Sequence, residues 1–114
     1  MTSSLIDEIR TLLNAVYEKA KQKMGDEIAS WNKVFQFDIE GLGSFYIEFS
    51  EGEMKVEAGT HPSPLATLSM SKEVLLQILK GELDAMAAFV RGKMKITGNV
   101  IETTHLRKMI EAGR

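Results

Sequence analysis

The run FVRGKMKITGNVIE, residues 89–102, brings Arg91, Lys93 and Lys95 together with Gly92 and Gly98. Glycine and lysine in one loop can cradle phosphate through backbone N–H groups and an ammonium, and the pattern that does so is G-x-x-x-x-G-K-[ST]. Here Gly92-Lys93 lacks the upstream glycine, and Met94 stands where a hydroxyl is needed. Read at a period of two, Met94 and Ile96 share one side, and Lys93, Lys95 and Thr97 the other. The basic residues are then the solvated face of a strand. Any contact they make with an anionic headgroup or a coenzyme phosphate falls at a sheet rim.

Other candidates for chemistry are few. The histidines are His61, in the Pro-flanked loop THPSP, and His105, in one helical row with Ile101 and Met109. No H-E-x-x-H spacing accompanies them and cysteine is absent, which removes thiolate sites, so no metal site is expected. A small hydrolase of lipid-like esters would need His105 beside a serine, yet there is no G-x-S-x-G elbow. Asp38 and Glu48 lie on the wet sides of adjacent strands, with no cleft to raise a carboxyl pKa for acid catalysis. These residues predict neither an enzyme nor a cofactor.

The 114 residues suit one domain, 1–114, with 44% hydrophobic and 26% charged residues, ordinary for a soluble globular chain. A net charge of −2 carries no basic excess for nucleic acid. The start MTSSLIDEIR is acidic where a signal peptide is basic, and the end IEAGR is no peroxisomal address. No apolar run reaches membrane-spanning length. A cytoplasmic protein with at most transient membrane contact is expected.

Several elements must position these groups. Apolar residues at spacings of three and four from Leu5 to Met24 predict an amphipathic helix over 4–24, with Ser4 as cap and Gly25 as stop. A short helical piece over 26–31 follows. The period then becomes two: Phe35, Phe37 and Ile39 share a face, as do Phe45, Ile47 and Phe49, and Met54, Val56 and Ala58. A loop Gly41-Leu42-Gly43 would pair Ile39 with Phe45, Phe37 with Ile47 and Phe35 with Phe49. A loop Glu51-Gly52 would pair Phe49 with Met54 and Glu48 with Lys55. LATLSMS gives a fourth strand, with Ala66, Leu68 and Met70 inward. Helices follow from Ser71 to Gly81 and over 82–90. KMKITG is the fifth strand, and Asn99 caps a last helix. The predicted fold class is α+β: a five-stranded, mixed, mostly antiparallel sheet with helices on one face and water on the other.

The inward faces supply five phenylalanines, Trp31 and most of the seven methionines. Methionine suits a shape-tolerant pocket, and it fills ordinary cores equally well. Facing direction nominates Trp31, Phe35, Phe37, Phe45, Ile47, Leu75, Leu79, Met86, Phe89, Met94, Ile96, Leu106, Met109 and Ile110 as candidate ligand-lining residues.

With Trp31-x-x-x-Phe-Gln-Phe-Asp-Ile, Gly43-Ser44-Phe45-Tyr46 and KGELDAMAAFVRGKMKITGNV, the chain resembles the sterol carrier protein type 2 family from its first helix to Met109. The run Gly81, Leu83, Asp84, Phe89, Gly92, Lys93, Lys95 and Gly98 carries most of the likeness. Ala85 replaces a usual proline, and Leu65 a common aspartate. The resemblance implies an apolar tunnel between sheet and helices that takes a fatty acid, fatty acyl-CoA, phospholipid or sterol without chemistry. Domains of this family occur alone or fused to enzymes; with no fused partner and no peroxisomal tail in the sequence, a free-standing version is expected, as a monomer or homodimer. The competing expectation is a protein-interaction or dimerisation module with a filled core, in which hydrophobicity on the outer rim of helix 99–112 binds a partner.

Overall fold

Residues 33–58 alternate apolar and polar side chains with glycines at the reversals, and they fold as a three-stranded meander. The computed structural model of the chain describes residues 5–113, so the expected Ser4 cap lies outside the described residues. The elements are α1 (Leu5–Met24), α2 (Asp26–Ala29), β1 (Lys33–Glu40), β2 (Gly43–Ser50), β3 (Glu53–Ala58), β4 (Ala66–Ser71), α3 (Lys72–Leu79), α4 (Ala85–Val90), β5 (Met94–Gly98) and α5 (Val100–Ala112). The sheet order is β3-β2-β1-β4-β5, with β1 parallel to β4 and the other pairs antiparallel. This is the α+β architecture that the alternation predicts.

The second hairpin keeps the counted register, with Glu48 opposite Lys55. Glu51 and Gly52 both adopt positive φ, at 53° and 76°, as a two-residue turn matched to strand twist requires. The first hairpin differs. Phe37 pairs with Phe45, Phe35 with Ile47 and Ile39 with Gly43, two residues from the expected pairing. Its loop starts at Glu40 instead of Gly41, because Leu42 N–H closes a tight turn onto Ile39 C=O at 3.1 Å with Gly41 at φ 87°. A slip of two leaves every side chain on its own face. It also stacks the Phe37 and Phe45 rings at 4.9 Å.

The outward face is not all wet, as the alternation had suggested. Gln36 is only 3% exposed. The connection from edge strand β3 to β4 must pass β2 and β1, and residues 59–65 lie over the outward face as they do so. The Gln36 amide donates to the carbonyls of Phe45 and Gly59, each at 3.0 Å, and its oxygen accepts from His61 N–H at 2.8 Å. The His61 ring meets Tyr46 edge-on at 5.2 Å. One buried amide thus satisfies the backbone of the crossover.

The helical layer has two halves. Over β1–β3, α1 and α2 bury Ile9, Leu13, Val16, Tyr17, Ala20 and Ile28 against Phe35, Phe45, Ile47 and Phe49. Trp31 closes this half, edge-on to Phe49 at 5.1 Å. The Tyr17 hydroxyl donates to Gly52 C=O at 3.0 Å, fastening α1 to the second hairpin, and its burial raises the phenol pKa. The other half, over β4 and β5, is covered by α3, α4 and α5. Their caps are side chains: Ser71 accepts from Val74 N–H, Asp84 from Ala87 N–H and Asn99 from Glu102 N–H. Helix α4 is shorter than the expected 82–90, because Glu82 and Leu83 donate back to Gln77 C=O and extend the end of α3. Ala85 is the first helical residue, where a proline's missing N–H would cost nothing, so the two residues are interchangeable there.

Candidate functional site

The half of the core under α4 and α5 does not close. Strand alternation turns Leu68, Met70, Met94 and Ile96 inward, and Leu75 and Ile78 descend from α3. Helix α4, only six residues long, buries Ala88 alone and brings Ala85, Met86 and Phe89 over the gap. Helix α5 completes the wall with Val100, Thr103, Thr104, Leu106, Arg107 and Ile110, and Phe37 forms the floor. The result is an apolar groove of about 90 Å³. Its mouth lies at Met86, Phe89 and Val100, which are exposed.

Of the residues nominated by facing direction, Phe37, Leu75, Met86, Phe89, Met94, Ile96, Leu106 and Ile110 come together around this groove. Trp31, Phe35, Phe45, Ile47, Leu79 and Met109 do not reach it. They are buried in the core, with Phe35, Phe45, Ile47 and Met109 fully enclosed. Direction alone assigns both sets inward; position along the sheet separates them, since Phe35, Phe45 and Ile47 lie under α1 and Met94 and Ile96 under α4. Five nonpolar wall residues lie outside the nomination, Leu68, Met70, Ile78, Ala85 and Val100, and all but the small Ala85 carried the same apolar signal. Thr103, Thr104 and Arg107 carried none, being polar positions outside the apolar stripe of α5.

The polar groups of the wall are largely occupied. Thr103 and Thr104 donate their hydroxyl protons to the carbonyls of Val100 and Ile101, both at 2.6 Å. The Arg107 guanidinium stands 3.7 Å from Asp84 and 3.0 Å from Glu111. Its buried Nε lacks an aligned hydrogen-bond acceptor, so the Glu111 contact is a charge pairing. Arg107 thereby links α5 to the cap of α4. His105 lies outside the groove with its ring edge-on to Trp31 at 6.1 Å. Among the described residues no cluster of three or more His, Cys, Asp or Glu stands ready for a metal, and no helix is long and apolar enough to cross a membrane.

Met70 is also one wall of a polar cleft at the C-terminal end of β4, where Asp38, Glu40, Glu73, Lys93 and Lys95 gather. On the far side of the groove, Lys33 donates to the Glu102 carboxylate across the entry to α5. That bond holds the Glu102 pKa below the ordinary carboxylate range.

The sequence and the fold have relatives among known proteins. The chain is 30% identical over 95 residues to the hydroxysteroid dehydrogenase-like protein 2 of Rattus norvegicus, covering 79% of the chain and 18% of that protein. It therefore spans about a fifth of the length of the curated relatives it matches. Among solved structures it superposes on a UbiJ-SCP2 ubiquinone synthesis protein with a TM-score of 0.76 at 18% identity, over 96% of both chains. It superposes on palmitated SCP2L2 from Aedes aegypti with a TM-score of 0.67 at 19% identity, over 90% of this chain and 93% of that one. Residues 13–111 match the SCP-2 sterol transfer family, and with its five-stranded sheet and helical cover in agreement, the chain belongs to that family.

Proposed function

We propose that the chain is a non-enzymatic carrier that holds the hydrocarbon part of a fatty acid, fatty acyl-CoA, phospholipid or sterol between β4–β5 and α3–α5. The single observation behind this reading is the apolar groove with an exposed apolar mouth. Its small volume favours an acyl chain over a fused ring system. The palmitated form of the Aedes aegypti relative supports the same choice.

Energetics fit a groove that opens on loading. Sealed and empty, an apolar space of about 90 Å³ would cost the free chain at most about 2 kcal/mol at ~24 cal/mol per Å³. A ready-made tunnel of ~300 Å³ would cost about 7 kcal/mol, a large part of the 5–15 kcal/mol a small domain has in hand. The free form is accordingly nearly shut. The cover with least to lose by moving is α4, with its one buried side chain. Sequestering about a dozen methylenes at ~0.8 kcal/mol each returns roughly 10 kcal/mol, against an association cost of about 4–15 kcal/mol, which leaves at most about 6 kcal/mol, a dissociation constant no tighter than tens of micromolar.

Protein purified under native conditions is expected to release a lipid into organic solvent, identified by mass spectrometry, and to bind a fluorescent fatty acid. Absence of both would overturn the carrier reading. The second reading, an interaction or dimerisation module, draws on Ile101, whose aliphatic side chain stands in solvent on the outer rim of α5. Thermal stabilisation by added fatty acid separates the two, since only a carrier gains stability from it.

A further inference from the structure

The 85–101 segment differs from the rest of the chain in charge. It holds Arg91, Lys93 and Lys95 and no Asp or Glu, whereas the whole chain has a net charge of −2. All three basic residues are exposed, and none is ion-paired among the described residues. The same segment contains every exposed large apolar side chain of the described residues: Met86, Phe89, Val90, Val100 and Ile101. Val90 is 74% exposed and Ile101 77%.

The fold gathers these residues along one margin. Strand β5 is the sheet edge. Helix α4 ends at Val90 and Arg91 just before it, and α5 begins at Val100 just after it. Lys93, just before β5, and Lys95, on its outward face, border the cleft that also holds Asp38, Glu40 and Glu73, and their stems are long enough to carry the ammonium groups around the edge. Lysines on an edge strand also deter pairing with other strands, which accounts for Lys93 and Lys95 alone. It does not account for a belt of unshielded aliphatic side chains beside them. A surface with a negatively charged rim over a hydrocarbon interior satisfies both at once: the basic groups meet anionic headgroups, and Val90 and Ile101 enter the acyl boundary.

We infer that the margin formed by α4, β5 and the first turn of α5 docks the protein on an anionic phospholipid bilayer, with the groove mouth at Met86, Phe89 and Val100 turned toward the lipid. The inference stands on exposure and charge, independently of what fills the groove.

Co-sedimentation with phosphatidylcholine vesicles, with and without phosphatidylserine, tests it. Binding is expected to need the anionic lipid and to weaken with salt. Lys93→Glu with Lys95→Glu is expected to weaken it by at least about 25-fold, from roughly fivefold per basic charge. Val90→Ser with Ile101→Ser, which changes no charge, is expected to weaken it by about 100-fold. Lys21→Glu with Lys23→Glu, basic residues of α1 away from this margin, is expected to leave binding unchanged. Each variant's capture of a fluorescent fatty acid in vesicle-free buffer reports separately on the groove. Three results overturn the inference: wild-type protein that ignores anionic vesicles, the α1 variant failing like the others, or sedimentation showing that Val90 and Ile101 are covered by a second copy of the chain.

Discussion

Replacing Met94 with tryptophan sets the groove against a filled core in one experiment. Met94 is buried, projects from β5 beside Met70, and lines the groove. Forcing a larger side chain into a well-packed interior costs about 1–3 kcal/mol. Where about 90 Å³ stands empty, the added ring has a place to go, and filling it returns up to about 2 kcal/mol of cavity energy. Met94→Trp is therefore expected to change stability by less than about 1 kcal/mol in urea unfolding. The ring then occupies the path of the acyl chain. Losing room for three to four methylenes at ~0.8 kcal/mol each weakens fatty-acid binding by about 100-fold, read by displacement of a fluorescent analogue. Ile47→Trp is the contrast. Ile47 is fully buried under α1, outside the groove, so the same change is expected to cost about 1–3 kcal/mol and to leave binding intact in the folded fraction. The reasoning is refuted if Met94→Trp costs as much as Ile47→Trp, or if it still binds the fatty acid like the wild type.

Gln36→Ala removes a buried amide that serves two carbonyls and one N–H; a loss of about 2 kcal/mol is expected, with hydrogen exchange at the His61 amide rising more than at β1. Gly98→Ala places a Cβ 2.8 Å from Leu65 C=O at a backbone φ of 91°; a loss of at least about 1–3 kcal/mol is expected in thermal or urea unfolding, with β5 loosened first. Because Lys33 lowers the Glu102 pKa in the folded chain, the pair contributes stability above the unfolded carboxylate pKa and loses it as pH falls through the lower folded value. Lys33→Met is therefore expected to reduce urea stability by a few tenths to about 1 kcal/mol at neutral pH and by nothing once Glu102 is protonated in both states. A penalty that persists in acid would assign the effect to the lysine stem packing near Trp31 instead.

Much of the architecture was legible because strand alternation is local. Phe35, Phe37 and Ile39 face the helices whichever hairpin register holds, and the two-residue shift at Glu40–Leu42 left that parity untouched. The shift itself depends on where the turn closes, a choice between adjacent glycines that side-chain pattern does not decide. Burial of Gln36 was illegible for another reason: a polar residue at an outward position reads as solvated until the crossover from β3 to β4 is laid over it. At the groove, Met94, Ile96, Met86 and Phe89 were found by facing direction. Arg107 was not, because its role comes from standing between Asp84 of one helix cap and Glu111 of its own helix.

The order of residues determined which side chains turn inward, where helices start at Ser71 and Asn99, and that no thiol chemistry occurs. Those outcomes rest on interactions within a few positions of one another. Tertiary structure alone decided where the inward side chains meet and where they leave space. Phe35, Phe45 and Ile47 are fully enclosed in the core, whereas Met70, Met94 and Ile96 line a groove that the six-residue α4 covers only in part. Packing is a balance of volumes summed from several elements, and no single segment contains that sum.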